Sequence, residues 1–123
     1  MTVSTKERRN TMQIVEKYLA AWNERDAGAR RMAVAAAFAP GAAYKDPLMQ
    51  GAGHEGLDAM IGAAQGHFPG HRFELSGTPA SHNDMVRFSW TLGVPGAAPV
   101  ARGTDLAVLA ADGRLASVTG FLD

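Results

Sequence analysis

The segment Tyr44-Lys45-Asp46-Pro47 gathers residue types that can move a proton. Run as a strand, it puts Tyr44 and Asp46 on one face and Lys45 on the other. Pro47 stops that strand at once, so Asp46 stands at a strand end beside a turn. A carboxylate there either accepts hydrogen bonds from loop amides or faces a pocket, where it is available for acid/base chemistry. The local pattern leaves both open. A second carboxylate, Asp105, interrupts an apolar strand pattern and shares a face with Ala107 and Leu109.

The other chemistry-bearing residues offer less. Of the four histidines, His54, His67, His71 and His82, only His67 and His71 are four apart. Phe68-Pro69-Gly70 lies between them and breaks any helix that would align them, so no metal site is expected. Ser81-His82-Asn83-Asp84 reads as a surface turn, and no nucleophile-elbow motif supports Ser-His-Asp catalysis. Gly51-Ala52-Gly53 lacks the lysine and the strand-to-helix setting of a phosphate loop. The absence of cysteine excludes disulfides, thiol catalysis and thiolate zinc sites. No cofactor is implied.

Length and charge narrow the partners. A chain of 123 residues is expected to form a single domain spanning 1–123, large enough to bury a core. Basic and acidic residues balance at 12 each, which gives no field favouring nucleic acid or an anionic membrane. No apolar run is long enough to span a bilayer. Lys6-Glu7-Arg8-Arg9 is charged and lacks the apolar core of a signal peptide, so a cytoplasmic location is expected.

The elements that must position Asp46 and Asp105 follow from periodicity. Residues Ser4 to Glu24 predict a first helix: Met12, Val15 and Leu19 repeat at helical spacing, with Ile14, Tyr18 and Trp22 on an adjoining stripe. Asp26 is an N-cap candidate for a second helix to about Phe38, with Val34, Ala37 and Phe38 inward and Pro40-Gly41 ending it. Ala42 to Asp46 is a short strand. Glu55 to Gln65 predicts a third helix on Leu57, Met60, Ile61 and Ala64, with Gly66 as its stop.

From His71 the period changes to two. Val86, Phe88, Trp90 and Leu92 share one strand face, and Arg87, Ser89 and Thr91 the other. Val94 to Pro99 is a hairpin loop between that strand and Val100 to Ala110. Ala111-Asp112-Gly113 is a tight turn leading to a strand from Arg114 to Leu122. Helices first and strands afterwards predict an α+β fold, a curved, mainly antiparallel sheet packed on three N-terminal helices. Leu106 and Val108 fall on the outer face of their strand, which predicts a homodimer contact through the outside of the sheet.

On these elements three segments resemble a known family. Tyr18-Leu19-Ala20-Ala21-Trp22-Asn23, Tyr44-Lys45-Asp46-Pro47 and Gly103-Thr104-Asp105-Leu106 resemble the ketosteroid isomerase branch of the nuclear transport factor 2-like superfamily. Asp112-Gly113-Arg114-Leu115 and Gly120-Phe121-Leu122-Asp123 are more similar to its SnoaL-like polyketide cyclase branch. The resemblance implies a cone-shaped (cystatin-like) fold with an apolar pocket. It implies Asp46 as catalytic base, with Tyr18 and a protonated Asp105 as the donors of an oxyanion hole. In the cyclase branch the residue matching Asp105 is instead the acid/base of an aldol closure.

That assignment is chemically coherent. Removing a proton alpha to a carbonyl puts negative charge on the carbonyl oxygen, which donors stabilise best where water is excluded. Burial among apolar groups raises a carboxyl pKa, so an inner-strand Asp105 can keep its proton while Asp46, nearer a loop, ionises. Trp22, Tyr44, Met60, Phe73, Phe88, Trp90, Val118 and Leu122 are expected to line the pocket, a set suited to a flat hydrophobic small molecule. The implied activity is cofactor-independent isomerisation or aldol cyclisation. The alternative is a binding or dimerisation module of the same fold without turnover.

Overall fold

The structure is a computed structural model that describes residues 4–123. Helix α1 (Thr5–Asn23) starts where Ser4 accepts a hydrogen bond from the Glu7 amide at 3.1 Å, and it buries the stripe Ile14, Val15, Tyr18, Leu19, Ala21 and Trp22. Asp26 caps α2 (Ala27–Ala37) through the Ala29 amide at 2.9 Å. After β1 (Phe38–Lys45) and β2 (Gln50–Ala52) comes α3 (Gly53–His67). Four strands complete the chain: β3 (Arg72–His82), β4 (Met85–Gly93), β5 (Ala101–Leu109) and β6 (Leu115–Leu122).

The six strands form one sheet in the order β2-β1-β6-β5-β4-β3. Every neighbouring pair is antiparallel except β1 and β6, which run parallel. Register shifts interrupt the β1–β6, β3–β4 and β5–β6 ladders, and such irregularities add twist and bend to a sheet. The sheet curls over the helices but stays open, with β2 and β3 as edges. Its inner face carries Val86, Phe88, Trp90, Leu92, Asp105, Ala107, Leu115 and Val118, all buried. Leu106 and Val108 are half-buried on the outer face.

Three local expectations are corrected. Pro40-Gly41 does not end α2. The strand has already begun at Phe38, and the pair forms the irregular stretch of β1 between Phe38 and Ala43, with Gly41 at φ +75°. A residue without an amide hydrogen is tolerated at such an interruption, because no ladder bond is demanded there. Gly51-Ala52-Gly53, expected to lack a strand-to-helix setting, stands in one: Gly53 opens α3, and the two residues before it belong to β2, where Tyr44 pairs with Gly51. Close packing explains that glycine: a Cβ would lie 3.1 Å from the Gly56 carbonyl oxygen and 3.3 Å from Met60 Sδ. Finally, α3 begins at Gly53 and runs through Gly66 to His67, longer than its apolar stripe indicates.

Two polar links fix the end of α1 that carries Trp22. Gln65 donates through Nε2 to the Trp22 and Glu24 carbonyls at 3.0 and 2.6 Å. Arg30 donates to Gln65 Oε1 at 2.9 Å and pairs with Asp58 at 2.7 Å, so α1, α2 and α3 are joined through one buried amide. Asn23 exchanges two hydrogen bonds with the backbone of Phe73, at 2.9 and 2.8 Å, which ties α1 to the edge strand β3.

Candidate functional site

Between the helices and the curled sheet lies a cavity of about 110 Å³. Helix α1 contributes Tyr18, Leu19 and Trp22; β1 and the turn after it contribute Tyr44, Asp46, Leu48 and Met49; Ala64 and Phe68 come from α3 and its C-terminal cap. The inner sheet supplies Phe73, Trp90, Leu92, Ala101, Asp105 and Leu122. Its surface is almost wholly apolar, and the polar groups gather at Asp105 and Asp46. Leu48, Phe68 and Leu122 are solvent-exposed and mark the rim.

Asp105 is buried, with 1% of its surface exposed. The alternation of β5 turns it inward between Gly103 and Ala107, opposite Phe88 on β4. Each carboxyl oxygen accepts one hydrogen bond: Oδ2 from the Tyr18 hydroxyl at 2.7 Å and Oδ1 from the Trp90 indole N–H at 3.0 Å. Burial pushes its pKa above the ordinary carboxylate value. The hydrogen bonds from Trp90 and Tyr18 pull it partly back, and the negative charge of Asp46 adds to the rise.

Asp46 is held by three donors. Its Oδ1 accepts from the Leu48 and Met49 amides at 2.8 and 2.9 Å, and its Oδ2 accepts from the Tyr44 hydroxyl at 2.5 Å. It thus caps the rim turn and also faces the cavity, so the two sequence alternatives coexist. Both phenols are driven far above their ordinary value. For Tyr18 the causes are burial, then the charge of Asp105. For Tyr44 they are burial, then the hydrogen bond to Asp46. Gly120 on β6 sits where these groups meet. A Cβ at that position would lie 2.9 Å from Asp105 Oδ1 and 3.1 Å from both Asp46 Cβ and Tyr44 Oη.

Tyr18, Asp46 and Asp105 therefore surround one cavity, together with the expected lining residues Trp22, Tyr44, Phe73, Trp90 and Leu122. Met60, Phe88 and Val118 are buried in the core outside the lining. Phe88 packs edge-on against the Tyr18 ring at 5.2 Å, and Val118 pairs with Tyr44 and Ala107 across the sheet, so both back the wall instead of forming it. Trp22 meets Tyr44 at a tilt and Phe73 edge-on, with ring centroids 5.4 and 5.3 Å apart. Its buried indole N–H lies close enough to Tyr18 to favour the phenolate, yet meets no acceptor at hydrogen-bond geometry among the described residues.

Sequence reasoning did not find Leu48, Met49, Phe68, Gln65 or Gly120. The first three lie in turns, where no periodicity assigns a face, and Gln65 looks like the polar tail of a helix. Among the described residues no group of three or more His, Asp or Glu side chains is placed to hold a metal ion. His54 bonds the Phe38 carbonyl at 2.7 Å and His71 the Pro69 carbonyl at 2.9 Å. No helix among the described residues is long and apolar enough to cross a membrane.

A family model described as a SnoaL-like domain matches residues 15–118. No curated protein matches the chain. Among solved structures, a candidate isomerase of the SnoaL-like family from Agrobacterium tumefaciens is 50% identical, with a TM-score of 0.89 over 94% of this chain and 98% of that one. A candidate SnoaL-like polyketide cyclase from Jannaschia sp. CCS1 is 17% identical, with a TM-score of 0.77 over 100% of this chain and 92% of that one. A protein of unknown function with a cystatin-like fold from Nostoc punctiforme is 17% identical, with a TM-score of 0.70 over 100% of this chain and 96% of that one.

Proposed function

The chain belongs to the SnoaL-like domain family, and from that premise we propose that it is a cofactor-independent enzyme performing acid/base chemistry alpha to a carbonyl on a hydrophobic small molecule. The observation that carries the reading is the convergence of Tyr18, Asp46 and Asp105 on one apolar cavity, with Asp105 buried and its pKa raised. The 50% identical neighbour described as a candidate isomerase supports the isomerisation form of this reading.

In this reading Asp46 removes the alpha proton, and the C–H electron pair becomes the enolate with its charge on the carbonyl oxygen. Protonated Asp105 donates to Tyr18 Oη, reversing the hydrogen bond drawn to an ionised carboxylate. The Tyr18 O–H is then free to turn to the enolate oxygen. The proton returns from Asp46 to another carbon of the conjugated system in an isomerisation. In a cyclisation the enolate carbon attacks a second carbonyl of the same molecule, whose C=O π bond opens to an alkoxide that takes the proton back from Asp46. Tyr44 holds Asp46 in place throughout.

The test is exchange of alpha protons for deuterium from solvent, followed by NMR on small ketones. Wild type is expected to accelerate exchange, and Asp46→Asn to abolish the acceleration. Dependence on Asp105 with retention of activity in Asp46→Asn favours the cyclase form. A second reading, a binding module without turnover, draws on the three hydrogen bonds that employ Asp46 as a cap for the rim turn. It predicts ketone binding with no exchange. In either reading we place a homodimer contact on the outer sheet face, which carries half-buried Leu106 and Val108 and, opposite Thr104, exposed Phe121; sedimentation of Leu106→Lys against wild type tests it.

A further inference from the structure

The cavity is small for a ligand pocket. Drug-sized ligands occupy pockets of roughly 300–1,000 Å³, whereas an apolar cavity of about 150 Å³ takes up benzene. The space here is about 110 Å³. Its size is set by a chain of tilted and edge-on aromatic contacts: Tyr44 to Trp22 at 5.4 Å, Trp22 to Phe73 at 5.3 Å, and Phe73 to Trp90 at 5.3 Å. These rings are locked from behind. Trp90 is bonded to Asp105, the Trp22 carbonyl to Gln65, and the Phe73 backbone to Asn23 on both sides. Beyond Leu48, Phe68 and Leu122 the cavity meets solvent.

We propose that the ligand buried here is a single-ring carbonyl compound, or an acyclic one of similar bulk, and that Phe73 sets this limit. The inference rests on the proposed carbonyl chemistry for the oxygen, but the size limit comes from the aromatic wall alone. The carbonyl lies toward Tyr18 and Asp105, the ring lies on Trp22 and Trp90, and any further substituent projects past the exposed rim. A fused polycycle with its carbonyl at the same end collides with Phe73. Phe73 is the ring of this wall that stands on an edge strand and is only partly buried, so its truncation removes less core packing than truncation of Tyr44, Trp22 or Trp90.

The experiment titrates wild type and Phe73→Ala with 2-cyclohexen-1-one, 1-tetralone and a steroid 3-ketone. It reads the two tryptophan indole cross-peaks by NMR, with Trp22→Phe to assign them. In wild type the one-ring ketone is expected to shift both indole peaks and to bind at least ten-fold more tightly than the steroid. In Phe73→Ala the two-ring ketone gains at least five-fold relative to the one-ring ketone. Steroid binding equal to or tighter than the one-ring ketone in wild type overturns the proposal. So does an unchanged ranking in Phe73→Ala, or the absence of binding by all three. Alpha-deuterium exchange in the same samples separates the readings. Size-ranked binding without exchange refutes the enzyme and keeps the size limit; exchange of the steroid alone does the reverse.

Discussion

Asp105→Ala and Asp105→Asn are expected to differ sharply in stability although each removes the same carboxylate. In the folded protein the Tyr18 hydroxyl and the Trp90 indole N–H both end on this side chain, at 2.7 and 3.0 Å, out of reach of water. Alanine orphans both donors, each at about 1–3 kcal/mol, so roughly 2–6 kcal/mol is lost. Against a typical stability of about 5–15 kcal/mol that is a large share. Asparagine keeps an oxygen for Trp90 and offers its amide to Tyr18 Oη, so the network survives with its charge removed. The pH dependence gives a second check. Above pH 3.8 the unfolded chain has released this proton while the folded carboxyl, raised by burial, retains it. The folded state then binds more protons, so stability is greatest below that value, falls as pH rises through the folded pKa, and levels off beyond it. Each unit of elevation is worth about 1.4 kcal/mol. Asp105→Asn lacks this loss and gains on wild type as pH rises. Urea midpoints for the three proteins between about pH 4 and pH 8 measure both effects, other carboxylates cancelling in the comparison. Equal destabilisation by Asn and Ala, or a wild-type-to-Asn difference that is flat with pH, refutes the reasoning.

The chain's two tyrosines, Tyr18 and Tyr44, both have pKa values raised by burial, so phenolate absorbance is expected to stay silent well above pH 10 and to rise only as the protein unfolds. Stability falls across that alkaline range because the unfolded phenols ionise first. Gly120→Ala presses a methyl group against Asp105, Asp46 and Tyr44 together; a cost of about 1–3 kcal/mol and loss of alpha-proton exchange are expected, read by thermal melt and NMR. Gln65→Ala frees the Trp22 and Glu24 carbonyls and one Arg30 donor; a loss of about 2–3 kcal/mol in a urea melt, with weaker ketone binding, is the expected outcome.

Where one physical rule governed a segment, the sequence was readable. Asp26 caps α2 as its place before an apolar period indicated, whereas Ser4, read as the first helical residue, is instead the cap of α1. Strict alternation through Val86, Phe88, Trp90 and Leu92 predicted the inner face of β4, and the inward turn of Asp105 followed from its place beside Ala107. Where two rules competed, the reading failed. Pro40-Gly41 is a turn signal in isolation, but pairing of β1 with a strand from the far end of the chain draws it into the sheet. Asp46 was ambiguous because it both accepts from loop amides and lines the cavity. The rim of the cavity was not readable, since Leu48, Met49 and Phe68 owe their direction to turns. The cavity's volume depends on ring-to-ring distances that no spacing encodes.

The pairing of β1 with β6 also governs when the site can come into being. Roughly seventy residues separate the two strands, a long loop to close before any contact rewards it. In chain order β1 precedes β6 by β2, α3 and β3 to β5, so one edge of β1 has no partner until β6 is made. Tyr44 and Asp46 are brought to Asp105 only when β6, with Gly120, slots between β1 and β5. Without β6 nothing joins β1 to β5, so the two carboxylates share a cavity only in a chain that contains both halves of this pairing.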